Sequence, residues 1–302
     1  MSNKQKSVLL STATILLWGM AFPVTKIAQG HFSTYPLGFF RCLTGAVALL
    51  LMGKFFNLRA PKIKDIPILF LSGALGFSVY LIAFNTGLLT LTAATSSIVI
   101  AITPILTAIV ASFLFKEKIN TIGWISIACA FVGVLVLMLW EGVLSINIGL
   151  IWTLGAAIVF CGYNILSRHL LKRGFTSYEI TTYSMLTGAI MFSFCIKGGI
   201  TELQTSSAIH VGAILFLAIL PSALGFVLWG KAMLLVERTS EVTNFMFVTP
   251  LVSTVFGFIL LKEVPNLGTF VGGGIIIASI VVFNLKGKGT PVPVTPVEIT
   301  ES

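Results

Sequence analysis

The sequence predicts an all-α integral membrane protein of ten transmembrane helices, arranged as two inverted five-helix repeats. Three observations predict it. Ten apolar stretches fill residues 7–285 and leave almost no room between them for a soluble domain. The composition is 56% hydrophobic and only 10% charged, with a mean hydropathy of +1.02. The chain also repeats itself at a fixed offset, with an odd number of spans in each copy.

A bilayer core of roughly 30 Å is crossed by about 20 mostly apolar residues in a helix, which satisfies its backbone hydrogen bonds internally. On that measure the spans run at about 7–28, 34–55, 66–89, 93–115, 121–140, 148–168, 177–197, 209–235, 241–261 and 268–285. Lys4 and Lys6 precede the first span as they would a signal peptide. No small-x-small cleavage site follows, however, and Trp18 to Lys26 continues as helix, so the span is read as retained. Only Thr90 and Thr92 interrupt residues 89–94 between the third and fourth spans, where a fused hairpin is the alternative. Pro104 and Pro250 fall mid-span in the fourth and ninth helices. Each removes a backbone donor and is expected to kink its helix and free a carbonyl, as Pro23 and Pro221 are in the first and eighth. Small residues mark close packing in the fifth span (Cys129/Gly133, Ser126/Ala130) and the tenth (Gly268/Gly272, extended by Gly273, Gly274 and Ala278). Packing within one chain is expected there, with a homodimer seam as the alternative to a monomer. Residues 286–302, polar and Pro-punctuated, read as a disordered cytoplasmic tail.

The formal net charge of +9 would suggest nucleic acid in a soluble protein, but here its placement sets topology. Following the spans, one side collects Lys4, Lys6, Lys54, Arg59, Lys62, Lys64, Lys116, Lys118, Arg168, Lys172, Arg173, Arg238, Lys286 and Lys288; the other has Lys26, Lys197 and Lys262. The rich side is expected to be cytoplasmic, which puts both termini inside a plasma (inner) membrane, with the lipid bilayer as partner and no nucleic acid. Cys42, Cys129, Cys161 and Cys195 fall within spans at no metal-ligand spacing, so neither disulfides nor metal nor another cofactor is expected.

The repeat is carried by TPILTAIVASFLFKEK at residues 103–118 and TPLVSTVFGFILLKE at 249–263. Pro104 lies on Pro250 at an offset of 146, and Lys116-Glu117 on Lys262-Glu263. The same offset sets Tyr80 on Phe226. A weaker match at 142 sets Trp18 on Phe160 and Lys26 on Arg168. The halves are about 1–140 and 148–285. Five spans each force opposite orientations, a plan typical of secondary transporters, whose substrate site lies at midplane where the halves meet.

These features resemble the EamA-type members of the drug/metabolite transporter superfamily: the 5+5 inverted repeat, Trp18-Gly19-x-Ala21-Phe22 ending at Lys26, and the TP…KE pattern closing the fourth and ninth spans. The resemblance covers about residues 8–285. It implies a plasma-membrane transporter, often an exporter, of small metabolites such as amino acids or of toxic compounds. It also implies a pore built from the first, third, fourth, sixth, eighth and ninth helices, with the fifth and tenth peripheral. Matching positions are Trp18, Phe22, Tyr80, Phe84, Ser97, Pro104, Tyr163, Asn164, Trp229, Asn244 and Pro250. The counterpart of Trp18-Gly19 is Phe160-Cys161, a departure from a symmetric pocket.

Ionisable groups inside a membrane are costly and usually face a cavity or a partner. Arg41, about seven residues into the second span, is the leading candidate. With Lys26 it could offer a cationic patch to a substrate carboxylate; snorkelling or bonding to helix-end carbonyls is the preferred reading for Lys26 and the open alternative for Arg41. Lys231 is expected to snorkel. Glu117 and Glu263 end equivalent helices at opposite mouths, as caps or gate pairs. No acid maps to mid-membrane, which favours facilitated diffusion or exchange over proton coupling, with Glu179 and Glu241 as residual candidates. Gly-x-Ser-x-Gly, His-Glu-x-x-His and phosphate-loop motifs are lacking, so no enzyme is expected. The functional expectation is a secondary transporter of small organic metabolites, exporting amino acids or related compounds by alternating access. Uptake or exchange of an anionic metabolite and a non-transporting membrane scaffold are the alternatives.

Overall fold

The computed structural model of the protein describes residues 2–56, 58–114, 119–140, 147–236 and 242–287, and the elements among them are helices. We number them as α1 (Asn3–Gln29), α2 (Thr34–Phe56) and α3 (Ile63–Leu88). Next come α4, in two pieces (Ala93–Ile100 and Thr103–Leu114), α5 (Thr121–Trp140) and α6 (Ile148–Lys172). The remainder are α7 (Ser177–Met191, bent by 46° into Ser193–Thr205), α8 (Ala208–Leu234), α9 (Asn244–Val248 leading into Thr249–Leu261) and α10 (Leu267–Val282). Among the described residues, six helices are long and apolar enough to cross a membrane and the bent α7 makes a seventh. Those of α5, α9 and α10 are shorter apolar helices. The protein is an all-α, two-repeat integral membrane protein.

Starts and stops follow local chemistry. The third and fourth spans are not fused, because the Thr92 side chain accepts from Thr95 N and opens α4. Asn147 caps α6 through Gly149 N, Asn266 caps α10 through Thr269 N, and Thr176 with Glu179 forms a capping box on α7. Each such cap stabilises its helix by about 1 kcal/mol. Lys262, in the left-handed region at φ 56°, stops α9.

Departures from regular helix within the spans add to what the apolar pattern predicts. Pro104 does not kink a continuous helix: α4 breaks at residues 101–102, and the proline sits in the first turn of the second piece. Pro250 likewise opens the α-helical part of α9 after the 3₁₀ turn Asn244–Val248. A proline's missing donor costs nothing in a first turn, where that donor has no intrahelical partner, so the expected kink becomes a helix start in both halves. The other departures are two wide π-helical segments, Ala74–Ser78 in α3 and Ala218–Leu224 in α8, at corresponding places in the two repeats. Pro221 lies within the second, whereas Pro23 lies within unbroken α1.

The halves interlock. α3 packs on α6, α2 on α7, and α1 on both α8 and α9. α5 and α10 pair with each other, so their small-residue seam is occupied within the chain. A Cβ at Gly133 would stand 2.7 Å from Ile276 Cγ1 and 2.9 Å from the Gly272 carbonyl oxygen, backbone that cannot swing aside. Gly133→Val is expected to cost roughly 1–3 kcal/mol of overpacking, read as a lower Tm of the detergent-solubilised protein. An unchanged Tm would show that the two helices are free to separate.

Ion pairs tie the two ends of the bundle. At one end, Arg173 donates to Asp65 Oδ1 at 2.7 Å, and Arg59 grips both Glu179 oxygens at 2.6 and 2.8 Å. At the other, Lys26 Nζ meets Glu263 Oε1 at 2.9 Å.

Candidate functional site

Helices of both repeats converge on a narrow cavity. Trp18, Ala21 and Phe22 reach it from α1, Arg41 from α2, and Tyr80 and Phe84 from α3. Ile100 enters at the break of α4, Phe160 from α6, Phe226 from α8, and Met246 and Thr249 from α9. α2 is an addition to the pore helices implied by the resemblance, and it brings the cavity's cation.

The wall is aromatic and internally ordered. Trp18 stands edge-on to Phe160 (5.5 Å between centroids) and to Phe226 (5.2 Å), and lies tilted on Trp229 (4.8 Å). Phe22 meets Phe84 edge-on at 5.1 Å, and Tyr80 stacks on Phe84 at 5.5 Å. Edge-on and offset arrangements are those that ring quadrupoles favour. The Trp18 indole N–H donates to the Pro221 carbonyl oxygen at 2.9 Å, so the π segment of α8 supplies the acceptor that a buried tryptophan needs.

Arg41 is 4% exposed. Its Nε donates to Ser222 Oγ at 2.6 Å, while Nη1 is buried without a hydrogen-bond partner. The Thr249 hydroxyl, also on the cavity, is in the same condition. Among the described residues no carboxylate lines the cavity. Asp65 and Glu179 are paired as above, and Glu202 accepts from Ser33 N and Oγ.

One helical turn beyond Phe22, Lys26 closes the end of the bundle. It binds Glu263 and also donates to the Leu91 carbonyl oxygen at 2.6 Å, while Glu263 Oε2 accepts Ala93 N at 2.8 Å. Lys26 thus takes a helix-end carbonyl, the preferred reading for it, together with the acid that follows α9, and among the described residues Arg41 alone of the two cations lines the cavity. Glu263 both caps α4 and pairs with a cation. Glu117 lies outside the described residues, as does Glu241.

The remaining candidates fall elsewhere. Tyr163 and Trp229 line a second, smaller cavity, with Ser167, Leu171, Ser177 and Phe226 among its other walls. Phe226 faces both cavities and stands between them. Asn164 is fully buried behind this wall. Its Oδ1 accepts the Trp229 indole N–H at 3.0 Å and its Nδ2 donates to the Phe160 carbonyl oxygen at 3.0 Å. Ser97 is buried and donates to the Ala94 carbonyl oxygen at 2.7 Å, off the cavity. Asn244 opens the 3₁₀ turn of α9, and its side chain lies outside the described residues. Asn164→Ala is expected to strand the Trp229 N–H and to cost about 1–3 kcal/mol, measured as a fall in Tm. A neutral result would mean that the indole has found another acceptor.

Phe160, Phe226 and Thr249 join the site without having been singled out by residue type. The repeat carried the signal for two of them, because it sets Phe160 on Trp18 and Phe226 on Tyr80.

Comparison with known proteins agrees with this architecture. The profile of the EamA-like transporter family matches residues 5–139 and again 147–285. A probable terminal-alkyne amino-acid exporter of Streptantibioticus cattleyicolor is 28% identical over 284 residues, 94% of this chain and 95% of its own. The uncharacterized transporter YdfC of Bacillus subtilis is 27% identical over 289 residues, 95% and 94% of the two chains. One protein of known crystal structure superposes with a TM-score of 0.66 over 93% of this chain and 98% of its own, at 16% identity, a likeness of fold alone.

Proposed function

The chain belongs to the EamA-like transporter family, and we propose that within it this protein is a secondary transporter that exports small organic metabolites, amino acids or related compounds among them, by alternating access. The observation that carries this reading is the aromatic cavity at the meeting of the two repeats, with one end of the bundle shut by the Lys26–Glu263 pair. Cation placement supports that end as the outer one, with both termini cytoplasmic in a plasma membrane. The second cavity, beyond Phe226, then lies on the inner side. In this arrangement a solute enters from inside, displaces the Phe226 wall to reach the larger cavity, and leaves when the Lys26 end opens.

Charge placement supports exchange or facilitated movement over proton coupling. Of the described acids, Asp65, Glu179 and Glu263 sit in ion pairs at the bundle ends, Glu202 accepts from Ser33, and Glu179 is also engaged by its own capping box. An amino-acid solute agrees with the name of the Streptantibioticus relative and with an aromatic cavity that contains one cation.

The test is counterflow of labelled neutral, aromatic and anionic amino acids into proteoliposomes without an imposed gradient. Saturable exchange of at least one solute, several-fold above empty liposomes, is expected. Background rates across the panel would exclude amino acids as the cargo.

A further inference from the structure

We propose that the Arg41–Ser222 corner of the cavity binds the carboxylate of an organic monocarboxylate, and that this carboxylate, rather than an amine, is the group by which the cargo is recognised. The inference rests on the transporter reading above and narrows it.

The geometry points one way. The Arg41 guanidinium is nearly sealed from solvent, and its side-chain bond from Nε to Ser222 Oγ fixes the plane of the fork. Nη1 then remains as a buried donor with nothing to donate to. A guanidinium stays charged in proteins, and a buried cation without a counter-ion is held at a cost of several kcal/mol. No acid among the described lining residues offsets it, and in this reading the cargo supplies the anion. A carboxylate is planar and offers two oxygens to such a fork.

The stoichiometry is single. Arg41 is the one cation on the cavity among the described residues, because Lys26 is turned to Glu263 and Leu91. One cation suits a monocarboxylate and leaves the second charge of a dicarboxylate or phosphate unmatched. The rest of the wall, with Trp18, Phe22, Phe160 and Phe226, is a surface for an apolar or aromatic body. The Thr249 hydroxyl, buried and unpartnered, gives a neutral contact to an amine or hydroxyl substituent. An ammonium group finds no carboxylate here, so it is tolerated but not required.

Two measurements on the full-length protein test this. In counterflow of labelled L-phenylalanine, unlabelled L-phenylalanine and phenylpyruvate are expected to compete at concentrations at least about tenfold lower than L-phenylalaninamide or phenethylamine. Arg41→Gln should erase that preference, and Arg41→Lys, which keeps the charge but loses the fork, should weaken it. The second measurement needs no flux. The same four compounds are added to detergent-solubilised wild-type protein, and the two carboxylates alone should raise its Tm. Acid-selective thermal shifts without counterflow would keep the site and overturn the transporter reading. Counterflow in which the amide or amine competes as well as the acid would keep the transporter and overturn the site. Absence of any thermal shift, or an acid preference that survives Arg41→Gln, also overturns it.

Discussion

Replacing Glu263 by alanine is expected to open the Lys26–Glu263 end of the bundle, the outer one in the proposed orientation, and to raise access to the cavity from that side about tenfold. Glu263 makes two kinds of bond at once. Oε1 holds Lys26 of α1 at 2.9 Å, and Oε2 accepts the N–H of Ala93, the first residue of α4. One carboxylate thus joins the end of α9, the end of α1 and the start of α4, and Lys26 adds a bond to Leu91. The pair is partly sheltered, with side chains 25% and 16% exposed, so solvent screens it less than an open surface pair. Removing it from the closed state alone shifts the closed-to-open ratio by its free energy there, and about 1.4 kcal/mol is a tenfold change. The readout is labelling of Ala21→Cys, a cavity position one turn inward, by an impermeant maleimide added outside, with the four native cysteines replaced. Glu263→Ala should label about ten times faster than the parent. The exchange Lys26→Glu with Glu263→Lys should restore slow labelling if the charge pair holds the gate. Equal labelling of parent and Glu263→Ala would leave the carboxylate as no more than a cap on α4.

The sequence shows the helical, two-repeat membrane fold because long apolar runs and the matched TP…KE strings are consequences of the bilayer and of repetition, which composition records directly. It marks the break of α4 through Pro104 but not its form, since a proline serves equally as a kink or as a helix start, and Gly76 in Ala74–Ser78 does not by itself announce a π segment. The site divides in the same way. Trp18, Tyr80 and Arg41 carry polar atoms that are costly in lipid, which marks them as candidates, although Trp124 and Trp152 within spans are exposed. The side chains of Phe160 and Phe226 carry no such atoms. A phenylalanine facing lipid and one facing a cavity are equally compatible with hydropathy, and the chain has 24 of them. Only the repeat singled these two out. The helix-end reading of Lys26 holds, but its pairing with Glu263 was not legible, because proximity in sequence order does not say which of several partners a flexible lysine takes.

Trp18→Ala is expected to lower Tm by roughly 5–10 °C and to abolish measurable counterflow, whereas Trp18→Phe should lose only a few degrees and keep flux within about fivefold. The indole touches Phe160, Phe226 and Trp229, so it joins the walls supplied by α1, α6 and α8. Its N–H to the Pro221 carbonyl fixes α1 to the π segment that also presents Ser222 to Arg41. Gly225 is matched to it, since a Cβ there would lie 2.9 Å from Trp18 Nε1. Truncation to alanine removes all of this. Transfer from water contributes little where the alternative environment is lipid, so most of the expected loss is the unfilled cavity, about 3 kcal/mol for so large a side chain. In a protein of this size that corresponds to several degrees. Phenylalanine keeps the ring contacts and forfeits one hydrogen bond of about 1 kcal/mol. The two variants therefore separate wall from bond. Flux retained in Trp18→Ala would mean that the aromatic cavity is not the route of the cargo. Collapse of flux in Trp18→Phe at near-native Tm would instead assign the bond to Pro221 a part in transport, by holding the π segment in register with Arg41.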